Sequence, residues 1–215
     1  FKEGKYVPYT HEQLLNLFVN ILPTTPRYTR LTRVVRDIPS EEIVSGNKSS
    51  NFRQIAEKEI LKQGKRIEDI RSREIKGESV TLKNLELEII KYNTSVSIEY
   101  FISYKTKNTD KICSFLRLSI PKKESFIKEL ENSSIIREVH VYGNVVNIGK
   151  ESKGESQHLG LGKKMIQIAE DISREKGFKK IFVISAIGTR EYYRKLGYKR
   201  EDLYMVKGFH EVIRT

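Results

Sequence analysis

The chain has 215 residues, 38% of them hydrophobic, enough for one large domain or two small ones. Forty Lys and Arg against 28 Asp and Glu give a net charge of +12 and a pI of about 9.6, a field that attracts polyanions; a basic proteome or heat adaptation is the other source of such a surface. No run of 18 apolar residues could span a membrane, and no signal-peptide pattern opens the chain.

Thr10, with Gln13 as capping-box partner, starts a helix over residues 10–22 whose stripe is Leu14, Leu17, Phe18 and Ile21; Pro23 and Pro26 end it. Residues 27–36 are rich in β-branched residues and arginine. Arg27, Arg30, Arg33 and Arg36 recur every third position, which on a strand points alternate members to opposite faces. Pro39 breaks the segment, Ser40 caps a short turn, and Asn51 starts a second helix that Gly64 terminates. Residues 65–78 are mostly charged and read as a connector. The expected division is therefore 1–78 and 79–215.

Strands dominate from there. Residues 85–90, 95–104, 111–120 and 135–142 read as four strands, the second and third joined by the Asn108-Thr-Asp110 turn. A polar loop leads to a helix over 160–176, with Leu161, Met165, Ile168, Ala169 and Ile172 apolar and Gly177 at its end. Residues 181–185 form a continuous apolar strand, 189–196 a short helix closed by Gly197, and 203–206 a last strand. The fourth and fifth strands flank one helix, a β-α-β unit with a parallel pair. The fold class is mixed α/β. Cys113 stands alone, so it cannot form an internal disulfide or a Cys-only metal site; its apolar neighbours predict a buried strand cysteine, and a reducing, cytoplasmic compartment fits.

Gln157-His-Leu-Gly-Leu-Gly162 precedes the long helix. Two glycines let backbone approach a ligand closely, and a helix N-terminus offers unpaired N–H groups and a positive dipole end. This suits a pyrophosphate, although a plain helix-start loop has the same pattern. The motif resembles the Q/R-x-x-G-x-G/A loop of the GNAT acetyltransferase superfamily. Glu138-Val-His-Val-Tyr-Gly143, the glycine loop, the run from Val183 to Tyr198 with Tyr192 and Tyr193, and Tyr204-Met-Val-Lys207 are similar to the acetyltransferase domain of the Elongator catalytic subunit family. Tyr9-Thr10, Arg33-Val-Val-Arg-Asp-Ile-Pro39 and Ser50-Asn-Phe-Arg-Gln54 resemble the end of that family's radical SAM region, so the likeness covers nearly the whole chain.

That resemblance implies a GNAT-type fold with a central mixed sheet flanked by helices, preceded by a smaller α-rich segment. It implies acetyl-CoA held by Glu138, Val139, His140 and Val141 of the preceding strand, by Gln157, Gly160, Leu161, Gly162 and Lys163, and by Tyr193. Tyr192 and Tyr193 are the catalytic candidates: a phenol near the thioester sulfur can protonate the departing thiolate. Adjacent helical residues diverge by about 100°, so one should face the cofactor and one the core, and the family pattern favours Tyr193 as the contact. Glu138 as general base and His140 as catalyst are weighed against plain strand roles. Arg27, Arg30, Arg33, Arg36, Lys48 and Arg53 are candidate contacts to tRNA phosphates, in the anticodon region, with salt bridging or plain solvation the alternative for each. Self-association or further subunits fit as well.

The family's chemistry forms a carboxymethyl-type group on carbon 5 of the wobble uridine. It also uses S-adenosylmethionine and a 4Fe-4S cluster held by three cysteines, which this chain lacks, so the chain is expected to be part of a longer protein and inactive on tRNA by itself. Asp69 and Ser72 stand where the family often has zinc cysteines, and no metal is expected. A stand-alone protein or small-amine N-acetyltransferase, and a tRNA- and acetyl-CoA-binding module without turnover, are the competing readings.

Overall fold

The computed structural model describes all residues except 33, 35–37, 79, 124, 126, 143–159 and 210–215. The chain divides into two compact units, Phe1–Arg73 and Glu74–Thr215. The division falls at 73/74 rather than 78/79. Glu74 bridges to Ile112, and the Ile75 N–H donates to the Ile112 carbonyl at 3.0 Å, so these residues already join the second unit's sheet.

The first unit contains α1 (His11–Ile21), α2 (Phe52–Lys62) and the one-turn α3 (Ile70–Arg73). The capping box on α1 is complete: the Gln13 N–H donates to Thr10 Oγ1, and the Thr10 N–H to Gln13 Oε1. Val19 and Leu22 pack on Ala56 and Ile60 to form a small helical core. The described residues between 27 and 34 are turns and irregular chain, not the strand their β-branched content suggested. The supposed connector holds α3, because Ile70 and Asp69 are fully buried.

The second unit is a seven-stranded sheet ordered β1-β2-β3-β4-β5-β7-β6. Strands β1 (Leu85–Asn93), β2 (Ser97–Thr106), β3 (Ile112–Pro121) and β4 (Ser133–Val141) form an antiparallel meander. After α4 (Leu161–Glu175), β5 (Lys180–Val183) pairs with β4 in parallel, as the β-α-β reading requires. Then come α5 (Arg190–Lys195), β6 (Lys199–Glu201) and β7 (Tyr204–Gly208), with β7 antiparallel to both β5 and β6. This is a mixed α/β arrangement, an antiparallel meander followed by a β-α-β unit.

Period-2 alternation sends Ile98, Tyr100, Ile102, Leu116, Leu118 and Ile136 to the face that α4 covers with Met165, Ile166 and Ala169. Glu170 of α4 is almost fully buried, yet Lys207 (2.9 Å), Tyr198 (3.0 Å) and Arg174 (3.2 Å) all bond it. That pairing offsets the cost of burying a carboxylate and ties α4 to β7.

Candidate functional site

The site is built by a divergence of two strands. β4 and β5 pair from Ser133↔Lys180 to Ile136↔Val183, and the Ile184 N–H makes the last bond, to the Ile136 carbonyl at 3.1 Å. Beyond that point the chain after β5 turns into α5. The edge of β4 from Arg137 to Val141 has no strand partner on that side among the described residues. An open edge is a row of backbone donors and acceptors, which an extended amide-bearing ligand can pair with.

The N-terminus of α4 lies at the mouth of this wedge. Gly160 is its N-cap, with φ +66°, a conformation that glycine adopts without steric cost. The first turn carries no acidic residue and no side-chain cap, and the first backbone bond runs from the Lys164 N–H to the Gly160 carbonyl. Among the described residues the N–H groups of that turn therefore have no side-chain acceptor, and Lys163 and Lys164 are exposed beside them. This is a local environment for an anion.

Three elements converge on Gly162. A Cβ built there would lie 2.8 Å from the Tyr192 hydroxyl of α5 and 3.7 Å from Val141 Cγ2 of β4. Any side chain would have to displace the phenol. Leu161 serves differently: its side chain is fully buried against Ile75, Val80, Leu85 and Cys113, which leaves only its backbone for a ligand.

The paired tyrosines split between core and surface, and the one favoured from the sequence as the cofactor contact, Tyr193, is the one turned to the core. Tyr193 is 5% exposed and packs in the core beside Tyr198, ring centroids 5.6 Å apart. Tyr192 is 41% exposed with its hydroxyl against Gly162. The α5 turn fixes this, because Tyr193 falls on the side of the helix that closes the core with Met165 and Met205. Burial raises both phenols, and Tyr193, with Tyr192 beside it, is pushed up to about 12. Both hydroxyls stay protonated at neutral pH.

On β4, Val139 and Val141 pack against the core. Glu138 and His140 point the other way. The Glu138 carboxylate accepts from Arg117 Nε at 2.9 Å and lies 2.8 Å from His140 Nε2, and His140 stacks on Phe115 at 5.1 Å. Arg117 also lies over the Phe101 and Phe115 rings and donates to the Tyr92 hydroxyl. Sequence reasoning named Glu138 and His140 but missed Arg117, Tyr92 and the neighbouring Glu99; the signal for Arg117 was a lone charge inside an apolar strand. Gln157 falls outside the described residues.

Among the described candidate RNA contacts, Arg53 is the one with the most partners inside the protein. It is 17% exposed and bonds Asp69 (2.8 Å), Ser72 (2.9 Å), Glu57 (2.7 Å) and the Leu31 carbonyl (3.3 Å), so its guanidinium is already committed. Arg27 pairs with Glu68 at 3.0 Å. Lys48 is exposed, and Arg30 has contacts within the protein. Arg33 and Arg36 lie outside the described residues. Asp69 and Ser72, placed where the resemblance expects zinc cysteines, are hydrogen-bonded to each other and to Arg53.

The residues present do not fit an iron–sulfur cluster. The one cysteine, Cys113, is buried in β3 and its thiol is pushed up to about 11 by burial. No helix among the described residues is long and apolar enough to cross a membrane.

A family profile described as the Radical_SAM C-terminal domain matches residues 1–62. Elongator complex protein 3 of Danio rerio is 37% identical over 98% of the chain. A protein of Methanocaldococcus jannaschii named tRNA uridine(34) acetyltransferase is 38% identical over 96%. The solved structure of Methanocaldococcus infernus Elp3 with an N-terminal deletion superposes with a TM-score of 0.83, at 36% identity, over 97% of this chain and 51% of that one. The chain spans about two-fifths of the length of these curated relatives, 39% and 40% of the two named here. It belongs to the Elongator catalytic subunit family.

Proposed function

We propose that this chain holds acetyl-CoA for a tRNA-modifying enzyme that forms 5-carboxymethyl-type wobble uridine together with a radical SAM domain. The observation that carries the reading is the wedge between β4 and β5 with the uncapped N-terminus of α4 at its mouth. Bound there, acetyl-CoA supplies an activated two-carbon unit. The edge of β4 over 137–141 pairs with the amides of its pantetheine arm. The first-turn N–H groups of α4, with Gly160 and Gly162 bare of side chains, receive the pyrophosphate, and Lys163 adds charge. Tyr192 keeps a protonated hydroxyl at the wedge, positioned to donate to a thiolate, while Tyr193 supports it from the core. The tRNA part of the reading rests on family membership, on the name of the archaeal relative and on the +12 charge. Titration calorimetry with acetyl-CoA tests the site: micromolar or tighter binding that is lost on replacing Gly162 with a bulky residue is expected. Binding that survives this replacement in a folded protein places the cofactor elsewhere.

A further inference from the structure

The splayed half of β4 begins at a defect in the sheet. β3 and β4 pair Arg117↔Glu138 and then Leu118↔Ile136, so Arg137 is an extra residue with no partner across the ladder. A bulge of this kind bends its strand and increases the local twist. Ile136 is also the last residue of β4 paired with β5. The bulge and the opening of the wedge therefore coincide at one peptide.

A buried carboxylate holds that bulge. Glu99 of β2, 2% exposed, reaches across β3 to Arg137, whose Nη1 lies 3.1 Å from Glu99 Oε2. Its other oxygen accepts the hydroxyls of Ser97 and Ser119, each at 2.6 Å. Ser119, directly opposite Glu99 in the ladder, is small enough to let the guanidinium pass over it. The next residue, Glu138, is tethered from the same face by Arg117 at 2.9 Å. Fold stability does not explain Glu99. A well-packed apolar side chain serves a sheet interior as well as a buried ion pair or better, and Arg137, with 48% of its side chain exposed, contributes little through a half-solvated bridge. What the pair fixes is the direction in which β4 leaves the sheet.

We propose that Glu99 is a positioning residue for the acetyl-CoA site. Through Arg137 it sets the bulge, and the bulge sets the open edge on which the cofactor lies; this rests on the reading of that edge given above. Glu99→Gln keeps an acceptor for both serines but turns an amide N–H toward the guanidinium. In this chain it is expected to weaken acetyl-CoA binding about tenfold by calorimetry. Amide hydrogen exchange should rise over 137–141 while the β1–β2 ladder and the thermal midpoint stay close to wild type. Arg137→Met should reproduce the loss of affinity and the local rise in exchange at 137–141, with a lower thermal midpoint because it leaves the buried Glu99 carboxylate without its cation, and should add nothing to the affinity loss in the Glu99→Gln background, where that charge is gone; the double variant also carries the test if either single variant fails to fold. Unchanged affinity and exchange in either folded variant overturns the proposal, as does exchange that rises evenly through the sheet, which marks a merely structural role. If wild type itself binds no acetyl-CoA, the site reading fails, and local exchange at 137–141 still decides whether the pair holds the bulge.

Discussion

The wedge at β4 and the arginine-rich stretch before α2 were both expected to meet a polyanion, one a pyrophosphate and the other RNA. They are built in opposite ways. At the wedge, groups able to bind a ligand are left open among the described residues: a strand edge without a neighbour and a helix start without a side-chain acceptor. Around α2 the most prominent arginine is occupied. Arg53 gathers Glu57, Asp69, Ser72 and the Leu31 carbonyl, joining three stretches of the first unit. A count of positive residues says what a surface can attract; only the pairing shows which charges remain to do so.

The largest effect expected from this contrast is on stability. Asp69 is fully buried, so Arg53→Met leaves an uncompensated carboxylate in the helical core. Removing one member of a buried pair costs about 3–5 kcal/mol, and the thermal transition of the first unit should fall accordingly. A variant that melts like wild type but loses tRNA affinity would return Arg53 to the RNA surface and erase the contrast.

The next effect lies at the wedge. A Cβ at Gly162 meets the Tyr192 hydroxyl at 2.8 Å, and a larger side chain also fills the space assigned to the ligand. Gly162→Val should weaken acetyl-CoA binding by at least about tenfold, ~1.4 kcal/mol. Combining it with Tyr192→Ala separates the causes. If the clash with the phenol is the whole problem, the double variant regains affinity; if the ligand needs the bare backbone, it does not.

Much of the wedge was legible in the sequence because it is backbone architecture. Glycines at 160 and 162, an apolar β5 and a helix stripe on α4 each leave a periodic or conformational mark. The division of Tyr192 and Tyr193 was legible only as a division. Which one turns inward depends on the angle at which α5 meets Met165 and Met205, and no local pattern records that. The short β6 was missed because its three residues, Lys199–Glu201, are all charged and exposed, held only by pairing with β7. The turns after α1 read as strand because Thr and Val favour extended chain, a preference that tertiary contacts override. Glu99 and Arg137 escaped notice because their relation crosses two strands.

The tyrosines sharpen the comparison chemically. Tyr192→Phe should slow any thioester hydrolysis by this chain more than Tyr193→Phe does, measured as free thiol release, since only the Tyr192 hydroxyl lies against α4's first turn. Tyr193 should instead be seen in stability at high pH. Its phenol titrates near 10 when unfolded and about 12 when folded. Above pH 10 the unfolded chain loses this proton first, so stability, complete below pH 10, falls as pH rises toward 12, by about 2–3 kcal/mol from this group. Tyr193→Phe should flatten that fall in part, Tyr198 being raised as well by burial and by Glu170. A larger hydrolysis defect in Tyr193→Phe would restore the assignment favoured from the sequence.

The smallest effect belongs to Lys48, the exposed candidate on the first unit. A lysine that contacts one phosphate releases about one counterion, so its loss lowers the slope of log affinity against log salt by about 0.9 and weakens binding alike on all sequences. Lys48→Glu should therefore reduce tRNA affinity modestly at low salt, with a shallower salt slope and no change in melting temperature. Arg27→Glu is the matched comparison. Its partner Glu68 lies 3.0 Å away and is half exposed, so reversal breaks a surface bridge that itself stabilises the fold by at most about 1 kcal/mol. If Arg27 is held for structure, its reversal lowers the melting point slightly and leaves the salt slope alone. If the two variants change the slope equally, pairing within the protein does not withdraw a charge from RNA, and the distinction drawn between the wedge and the arginine-rich stretch fails at its RNA end.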